Sequence, residues 1–171
     1  MAQNPAFLIE PLGKHHNRAA FSCGKEELDS YLKTQAAQDA RKRAAVPFVI
    51  TPDHNTIAGF YTLSQYAIEL RDVPTDLARK LPKYELIPAT LLGRLAVSIN
   101  FRGQGLGRKL LMDALYRCLQ SSRQVASTTV IVDAKDDEAL AFYRKYGFME
   151  LPNVERRLLL PMATIEALFG E

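Results

Sequence analysis

A glycine-rich segment between an apolar run and an amphipathic run constrains this chain most. It occupies residues 102–107 and reads RGQGLG. Glycine lets the backbone approach an anion without a Cβ in the way, and the first amides of a helix are unpaired and lie at the positive end of its dipole. The segment therefore predicts a strand-to-helix turn that can hold a pyrophosphate, although glycines would equally suit a tight turn without a ligand.

The spacing of these glycines excludes two common nucleotide sites. Arg108 and Lys109 do not complete the Walker pattern GxxxxGK[ST], and a G-x-G-x-x-G dinucleotide site would need glycine at Arg108. Nucleotide hydrolysis and dinucleotide binding are therefore disfavoured. Arg102 and Arg108 could add charge-assisted hydrogen bonds to a bound phosphate.

Length and composition favour one intracellular domain. The chain has 171 residues, of which 47% are hydrophobic and 24% charged, and polar Gly/Pro/Ser linkers are missing. It lacks a run of the roughly 18 apolar residues that a membrane helix needs, so no membrane association is expected. Its N-terminal residues lack the features of a secretory signal, which predicts a cytoplasmic protein. Cys23 and Cys118 do not suggest a disulfide, and Cys118 is expected in the core.

Hydrophobic periodicity predicts alternating strands and helices along the chain. Strands are expected at residues 7–12, 46–51, 56–64, 87–97, 128–134 and 157–160. Helices are expected at residues 25–43, 74–81, 104–120 and 136–145, with a short terminal helix near 165–168. His15 and His16 fall in a polar loop and are expected at the surface. The order predicts an α/β class with a mixed sheet.

Two features outside the glycine segment suggest ligand contacts. Pro88 and Gly93 interrupt the predicted strand 87–97, so something other than a neighbouring strand can use its backbone. Basic residues form two clusters, Arg41, Lys42 and Arg43, and Arg79, Lys80 and Lys83, within a chain of net charge +3. These clusters permit binding to a polyanion, and solvated helix ends would explain the same charges.

The segments around the glycine turn resemble the GNAT superfamily of acetyltransferases. LLGRLAVS precedes the turn, and DDEALAFYRKYGF follows about 30 residues later. The resemblance implies a GNAT fold, which is a mixed and mostly antiparallel sheet with flanking helices and a splayed central strand pair for acetyl-CoA, and no metal. The implied cofactor contacts are Leu95, Ala96, Val97, Arg102, Gly103, Gln104, Gly105, Leu106, Gly107 and Arg108. It also implies that the Tyr143 hydroxyl lies close to the CoA sulfur, while Asp136 stands where many members have an asparagine that bonds the cofactor arm.

Nearly the whole chain resembles a narrower group, the GNAT toxins of bacterial toxin–antitoxin systems. The matching segments are FSCGKEELDSYL, AGFYTLS, LPKYELIPATLLGRLAVS, VDAKDDEALAFYRKYGF and LLLPM. The resemblance implies acetylation of the α-amino group of an aminoacyl-tRNA, a block of translation, and a ribbon-helix-helix antitoxin as partner. It leaves a homodimer open. Under this reading Arg41, Lys42 and Arg43 would contact tRNA phosphates.

The pKa of the acceptor amine decides whether the enzyme needs a general base. The matched motifs contain neither a histidine nor paired carboxylates as a general base, yet α-amino groups titrate near 7.7–8.0 and are partly neutral at neutral pH. Tyr143 is the expected proton donor to the thiolate, and Tyr146 is the competing tyrosine. Arg94 is a candidate substrate contact, with a structural ion pair as the alternative. A GNAT acting on a small amine or a protein N-terminus, and a non-enzymatic acetyl-CoA-binding module, are the rival functions.

Overall fold

The computed structural model describes residues 6–170 of the chain. The strands are β1 (Leu8–Pro11), β2 (Val46–Thr51), β3 (Gly59–Glu69), β4 (Leu86–Val97), β5 (Thr129–Asp133), β6 (Met149–Glu150) and β7 (Arg157–Pro161). The α-helices are α1 (Glu26–Thr34), α2 (Ala36–Lys42), α3 (Thr75–Ala78), α4 (Leu106–Ser122), α5 (Asp137–Lys145) and α6 (Met162–Leu168). Single 3-10 turns lie at Leu70–Asp72 and Ile99–Phe101. Across residues 6–170, every helix is too short or too polar to cross a membrane.

Within residues 6–170, seven strands form one mixed sheet in the order β1-β2-β3-β4-β5-β7-β6. β4 and β5 pair in parallel, with registered pairs from Thr90–Val130 to Leu92–Val132. Antiparallel pairing joins β1 to β2, β2 to β3, β5 to β7 and β6 to β7. The predicted α/β class, with a mixed and mostly antiparallel sheet and flanking helices, is confirmed.

The chain divides into two compact units, and the first comprises the residues up to Ser64 together with Gly93–Ala114. Its core is rich in aromatic side chains, and Phe21 meets Phe60 edge to face with ring centroids 5.5 Å apart. The buried members of this core are Phe21, Cys23, Leu28, Tyr31, Leu32, Ala36, Val49, Ile57, Phe60 and Ala96. α1 therefore contributes its apolar side, which includes Leu28, Tyr31 and Leu32, to this core.

The second unit comprises Gln65–Leu92 and the chain from Leu115 onward. One buried cluster in it consists of Ile68, Val73, Ile87, Ala89, Ile131, Leu151 and Leu159. β5 is buried along Thr129–Val132, which explains its continuous β-branched run. Cys118 is buried as predicted, and burial raises the pKa of its thiol to about 12. The prediction of a single domain stays a prediction.

The helix predicted over residues 25–43 is in fact two helices that meet at Gln35. The backbone of Gln35 has φ −119° and ψ −33°, away from ideal helix values. Asp39 accepts hydrogen bonds from the Tyr31 hydroxyl at 2.8 Å and from the Gln35 amide at 2.9 Å. These side-chain bonds stabilise the bend, and hydrophobic periodicity does not report them.

The turn between β2 and β3 is built around one aspartate. Asp53 accepts hydrogen bonds from the backbone amides of Asn55 at 3.0 Å and Thr56 at 2.7 Å. These bonds, that from Thr56 first, lower the pKa of Asp53 to about 2. They fix the turn as far as Thr56, and β3 begins at Gly59 rather than at the predicted Thr56. The two-residue strand β6 was not predicted, because it is too short to show an alternation.

The expectation that both His15 and His16 are surface residues is wrong for His16, which is buried. Its Nδ1 accepts a hydrogen bond from the Gly13 amide at 2.9 Å, and its Nε2 donates to Glu10 Oε1 at 2.7 Å. His54 Nδ1 also lies 3.0 Å from Glu10 Oε2. The hydrogen bond from His16, followed by smaller effects of His54 and His15, lowers the pKa of the Glu10 carboxyl.

Candidate active site

The predicted anion-binding turn joins the 3-10 turn at Ile99–Phe101 to α4. Gly103 has φ +79° and Gly105 has φ +72°, a backbone region that favours glycine. A Cβ built at either position would meet no protein atom within 4 Å. The outer surface of the turn is therefore open at both glycines, and a ligand can approach the backbone there.

Helix α4 supplies unpaired amides directly after this turn. Its 17 residues begin at Leu106, and the Lys109 amide donates to the Gly105 carbonyl at 3.2 Å. The amides of Leu106, Gly107 and Arg108 precede that first helical hydrogen bond, so the helix itself provides no acceptor for them. Together with the helix dipole, they form a site suited to a phosphate group.

The Arg102 side chain has a structural contact that the sequence did not reveal. Its Nη2 donates to the carbonyl oxygen of Cys23 at 2.7 Å. A Cβ at Gly24, which has φ +86°, would lie 3.0 Å from the same nitrogen. Arg102 therefore fastens the turn to the segment before α1, while Arg108 is exposed at the start of α4.

The end of β4 holds the three residues predicted to bond the cofactor arm. Ala96 is buried, and Leu95 and Val97 are partly exposed. The last registered pair between β4 and β5 is Leu92–Val132, five residues before β4 ends at Val97. A Cβ at Gly59 would come within 2.8 Å of the Ala96 carbonyl oxygen, so β3 needs glycine to approach β4 this closely.

Arg94 lies on the same strand and stacks on an aromatic ring. Its guanidinium carbon is 3.6 Å from the centroid of the Tyr31 ring. Burial, followed by the hydrogen bond to Asp39, raises the pKa of Tyr31 to about 12. Arg94 therefore has a structural contact, the cation–π interaction with Tyr31. Its role as a substrate contact stays a prediction.

The three basic residues Arg41, Lys42 and Arg43 are exposed at the C-terminal end of α2. Cations suit this end of a helix because of its dipole. Arg43 caps the helix in the left-handed conformation with φ 59°, and its amide donates to the Ala40 carbonyl at 3.2 Å. Residue 43 is therefore an arginine in a backbone conformation that glycine adopts more easily.

We expect Arg43→Gly to raise the free energy of unfolding by about 0.5–1 kcal/mol, because glycine adopts this conformation without a Cβ penalty. Urea denaturation monitored by circular dichroism measures the change. Arg43→Ala is the matched control, since it removes the same charge and keeps the Cβ. Equal stability of the two variants would contradict the assignment of strain to the Arg43 backbone.

Tyr143 is the buried tyrosine of α5. Its ring meets Phe142 and Phe148 edge to face, each with centroids 5.3 Å apart. Burial raises the pKa of the Tyr143 hydroxyl well above its usual range, so it keeps its proton at neutral pH. Tyr146 is the C-cap of α5, is only partly buried, and packs on Phe142 at 5.1 Å.

Asp136, the departure from the usual asparagine, caps the N-terminus of α5. Its side chain accepts a hydrogen bond from the Ala139 amide at 2.8 Å. Aspartate is among the best residues at this position because its oxygen satisfies an amide that the helix leaves unpaired. The residue therefore has a structural role in placing the helix that carries Tyr143.

Glu10, His15 and His16 bring their potential ligand atoms within 4.8 Å of one another, which is close enough for a shared metal ion. A histidine that binds a metal through one ring nitrogen normally donates its other ring proton to an acceptor. The Nδ1 atom of His16 instead accepts from the Gly13 amide at 2.9 Å. This cluster therefore fits a hydrogen-bonded pair of imidazole and carboxylate, and it does not fit a metal ion.

Comparison with known families places the turn, β4 and Tyr143 within one matched domain. The acetyltransferase (GNAT) domain model matches residues 44–150. The chain belongs to the GNAT acetyltransferases. This GNAT is 33% identical over 172 residues to the probable toxin TacT of Sinorhizobium fredii (strain NBRC 101917 / NGR234), covering 95% of both chains. It is 35% identical over 152 residues to a tRNA-acetylating toxin of Mycobacterium tuberculosis (strain ATCC 25618 / H37Rv), covering 89% of this chain and 90% of that toxin.

Solved structures of toxins share the fold of this GNAT. AtaT complexed with acetyl-methionyl-tRNAfMet superposes with a TM-score of 0.89 at 29% identity, covering 96% of this chain and 99% of AtaT. A tyrosine-to-phenylalanine mutant of KacT also gives a TM-score of 0.89, at 27% identity, covering 95% and 99% of the two chains. The resemblance to GNAT toxins found in the sequence is confirmed.

Proposed function

We propose that this acetyltransferase moves the acetyl group of acetyl-CoA to the α-amino group of an aminoacyl-tRNA and thereby blocks translation. The similarity to a tRNA-acetylating toxin over 89% of the chain carries this proposal. The structure of AtaT with acetyl-methionyl-tRNAfMet, which has the same fold, supports it.

The glycine turn fits the pyrophosphate of acetyl-CoA. Two glycines with positive φ leave the surface open, and the amides at the start of α4 offer donors at the positive end of a long helix. The residues proposed to hold the phosphates are Arg102, Gly103, Gln104, Gly105, Leu106, Gly107 and Arg108. Leu95, Ala96 and Val97 would bond the pantetheine arm through their backbone.

Tyr143 is proposed to act on the departing sulfur. As the amine nitrogen bonds the acetyl carbon, the carbon–sulfur bond breaks, the nitrogen loses one proton and the sulfur gains one. A thiol has a pKa near 8.5, below that of a buried phenol, so complete early proton transfer from Tyr143 is unfavourable. Tyr143 therefore serves best by donating a hydrogen bond that strengthens as charge develops on sulfur.

The exposed basic residues Arg41, Lys42 and Arg43 are proposed to contact tRNA phosphates. Such contacts give affinity without sequence specificity and weaken as salt rises. A cytoplasmic location, a ribbon-helix-helix antitoxin and a homodimer belong to the same proposal. The structures of AtaT bound to the C-terminus of its antitoxin AtaR support the antitoxin partner.

The test of this function compares acetyl transfer to charged tRNA, deacylated tRNA, a free amino acid and a lysine peptide. At pH 7 a lysine amine of pKa near 10.4 is only about 0.04% neutral, whereas an α-amine of pKa near 7.7–8.0 is about 9–17% neutral. We expect charged tRNA to be the preferred acceptor, with a rate that rises with pH up to the pKa of its amine.

Salt provides the second readout of this test. At subsaturating tRNA, transfer to charged tRNA should fall as salt rises, and transfer to the free amino acid should not. The variant with Arg41, Lys42 and Arg43 all changed to glutamine should show a shallower salt dependence. Equal transfer to the lysine peptide and to charged tRNA would contradict this function and favour acetylation of small amines or proteins instead.

A further inference from the structure

The backbone of Cys23 connects the glycine turn to helix α1. Its carbonyl oxygen accepts a hydrogen bond from Arg102 Nη2 at 2.7 Å, on the side of the turn. Its amide donates to Asp29 Oδ1 at 2.8 Å, and Asp29 lies in the first turn of α1. Cys23 itself is buried in the core of the first unit. One buried residue therefore receives one contact from the turn and one from the helix.

Helix α1 begins without a favourable N-cap residue. Its N-cap is Lys25, whereas serine, threonine, asparagine and aspartate are the residues that cap a helix well. The hydrogen bond between the Cys23 amide and Asp29 instead ties the first turn of α1 to the chain that precedes it. The placement of this first turn thus depends on how firmly Cys23 is held.

The residue before Cys23 is held by contacts that lie ahead of the glycines. The Ile99 amide donates to the Ser22 carbonyl oxygen at 2.8 Å, and Ser98 Oγ donates to the same oxygen at 3.3 Å. Both donors come from the segment that leads into the turn. Arg102 differs from them because it is charged, exposed and directly precedes Gly103. Its contact with Cys23 is therefore the one that a ligand at the turn can strengthen.

The guanidinium of Arg102 has donors for two acceptors at once. It carries five N–H groups in a planar fork, and the hydrogen bond to Cys23 uses one of them. The surface of the turn is open at Gly103 and Gly105. A phosphate bound at this turn can accept from the remaining N–H groups of Arg102 while the bond to Cys23 stays in place.

Glycine at position 24 leaves room for this side chain. Gly24 has φ +86°, and a Cβ there would lie 3.0 Å from Arg102 Nη2 and 3.9 Å from Ile99 Cγ2. The guanidinium is the end of a long flexible side chain, so it would move away from an added methyl group. Such a methyl group displaces Arg102 from Cys23 and leaves every charge of the turn in place.

We propose that Arg102 is a positioning residue that bridges a cofactor phosphate and the Cys23 carbonyl, so that binding of acetyl-CoA fixes the start of α1. The inference rests on the proposed function, which assigns the pyrophosphate to this turn. A phosphate that holds the guanidinium makes its bond to Cys23 more persistent, and by linkage a fixed Cys23 strengthens phosphate binding. The effect reaches the proposed acceptor side, because α1 carries Tyr31, on which Arg94 stacks at 3.6 Å.

Hydrogen exchange of the complete chain, measured by mass spectrometry with and without saturating acetyl-CoA, tests this bridge. Peptides covering residues 103–110 report occupancy of the turn, and peptides covering residues 22–30 report the start of α1. In the wild type we expect acetyl-CoA to slow exchange in both, by about fivefold or more in residues 22–30. The change on adding cofactor is the readout, because a purely structural contact of Arg102 would alter exchange equally with and without it.

Three variants identify the residue that carries the effect. Arg102→Gln, at a cofactor concentration that saturates the turn, should keep the protection of residues 103–110 and lose that of residues 22–30. Gly24→Ala keeps the charge of Arg102 and displaces its guanidinium, so it should show the same loss. Arg108→Gln removes another exposed cation next to the same turn and should retain the protection of residues 22–30.

The inference is overturned if acetyl-CoA protects residues 103–110 of the wild type and leaves residues 22–30 unchanged. It is also overturned if Arg102→Gln or Gly24→Ala keeps the wild-type change, or if Arg108→Gln loses it. Exchange requires no acceptor, so these outcomes do not depend on which amine is acetylated. A wild-type protein whose residues 103–110 gain no protection from acetyl-CoA would contradict the proposed cofactor site itself.

Discussion

Tyr143→Phe is expected to lower kcat about a hundredfold or more, and to leave both the fold and the affinity for acetyl-CoA intact. A hydrogen-bond donor aimed at an atom that develops negative charge typically contributes about 10²–10³-fold to the rate. The substitution keeps the ring that packs on Phe142 and Phe148 and removes only the hydroxyl. Steady-state kinetics give the kcat, and calorimetric titration gives the Kd for acetyl-CoA.

The matched control for this experiment is Tyr146→Phe, three residues further along the chain. Tyr146 is the C-cap residue of α5 and contacts Phe142 and Lys145. Its variant should retain nearly the full rate. If Tyr146→Phe lost activity and Tyr143→Phe did not, the hydrogen bond to the departing sulfur would have to be reassigned to Tyr146.

Gly105→Val is expected to weaken acetyl-CoA binding about a hundredfold or more. The valine side chain would project into the open space where the phosphates are proposed to sit, and a β-branched residue resists the φ of +72°. Hydrogen bonds to a charged group contribute about 1.5–3 kcal/mol each, so loss of two reaches the expected effect. Titration with acetyl-CoA measures the change in Kd.

Gly170 provides a control for the backbone strain in this experiment. It has φ +71°, and a Cβ there would also meet no atom within 4 Å. Gly170→Val should therefore introduce comparable strain and leave acetyl-CoA affinity unchanged. Wild-type affinity in a folded Gly105→Val protein, or an equal loss in both variants, would refute the assignment of the turn.

Much of the fold could be predicted because its signals are local. The amphipathic pattern of α4, the β-branched run of β5 and the turn residues after β2 each lie within one short segment, and all three elements were located within a few residues. The break at Gln35 was missed because it depends on hydrogen bonds to Asp39. The burial of His16 was missed because its partners, Glu10 and Gly13, come together only when the loop folds back.

The residues of the candidate site also fall into two groups, those that belong to local sequence patterns and those whose contacts join distant positions. The glycine turn and Tyr143 belong to sequence patterns, so they could be named before the structure was known. The contact of Arg102 with the Cys23 carbonyl joins positions 79 residues apart in sequence, and nothing near Arg102 indicates it.

The interleaving of the two units has a consequence for synthesis of the protein on the ribosome. Residues 93–114 belong to the first unit, but they lie in sequence between the two segments of the second. In the second unit β7 lies between β5 and β6, although β6 is translated first. Translation adds about 5–20 residues per second from the N-terminus, so β5 and β6 must wait for β7 before they join one sheet. The unit that holds Tyr143 is therefore incomplete in the nascent chain, and the acetyltransferase becomes active only after β7 has emerged.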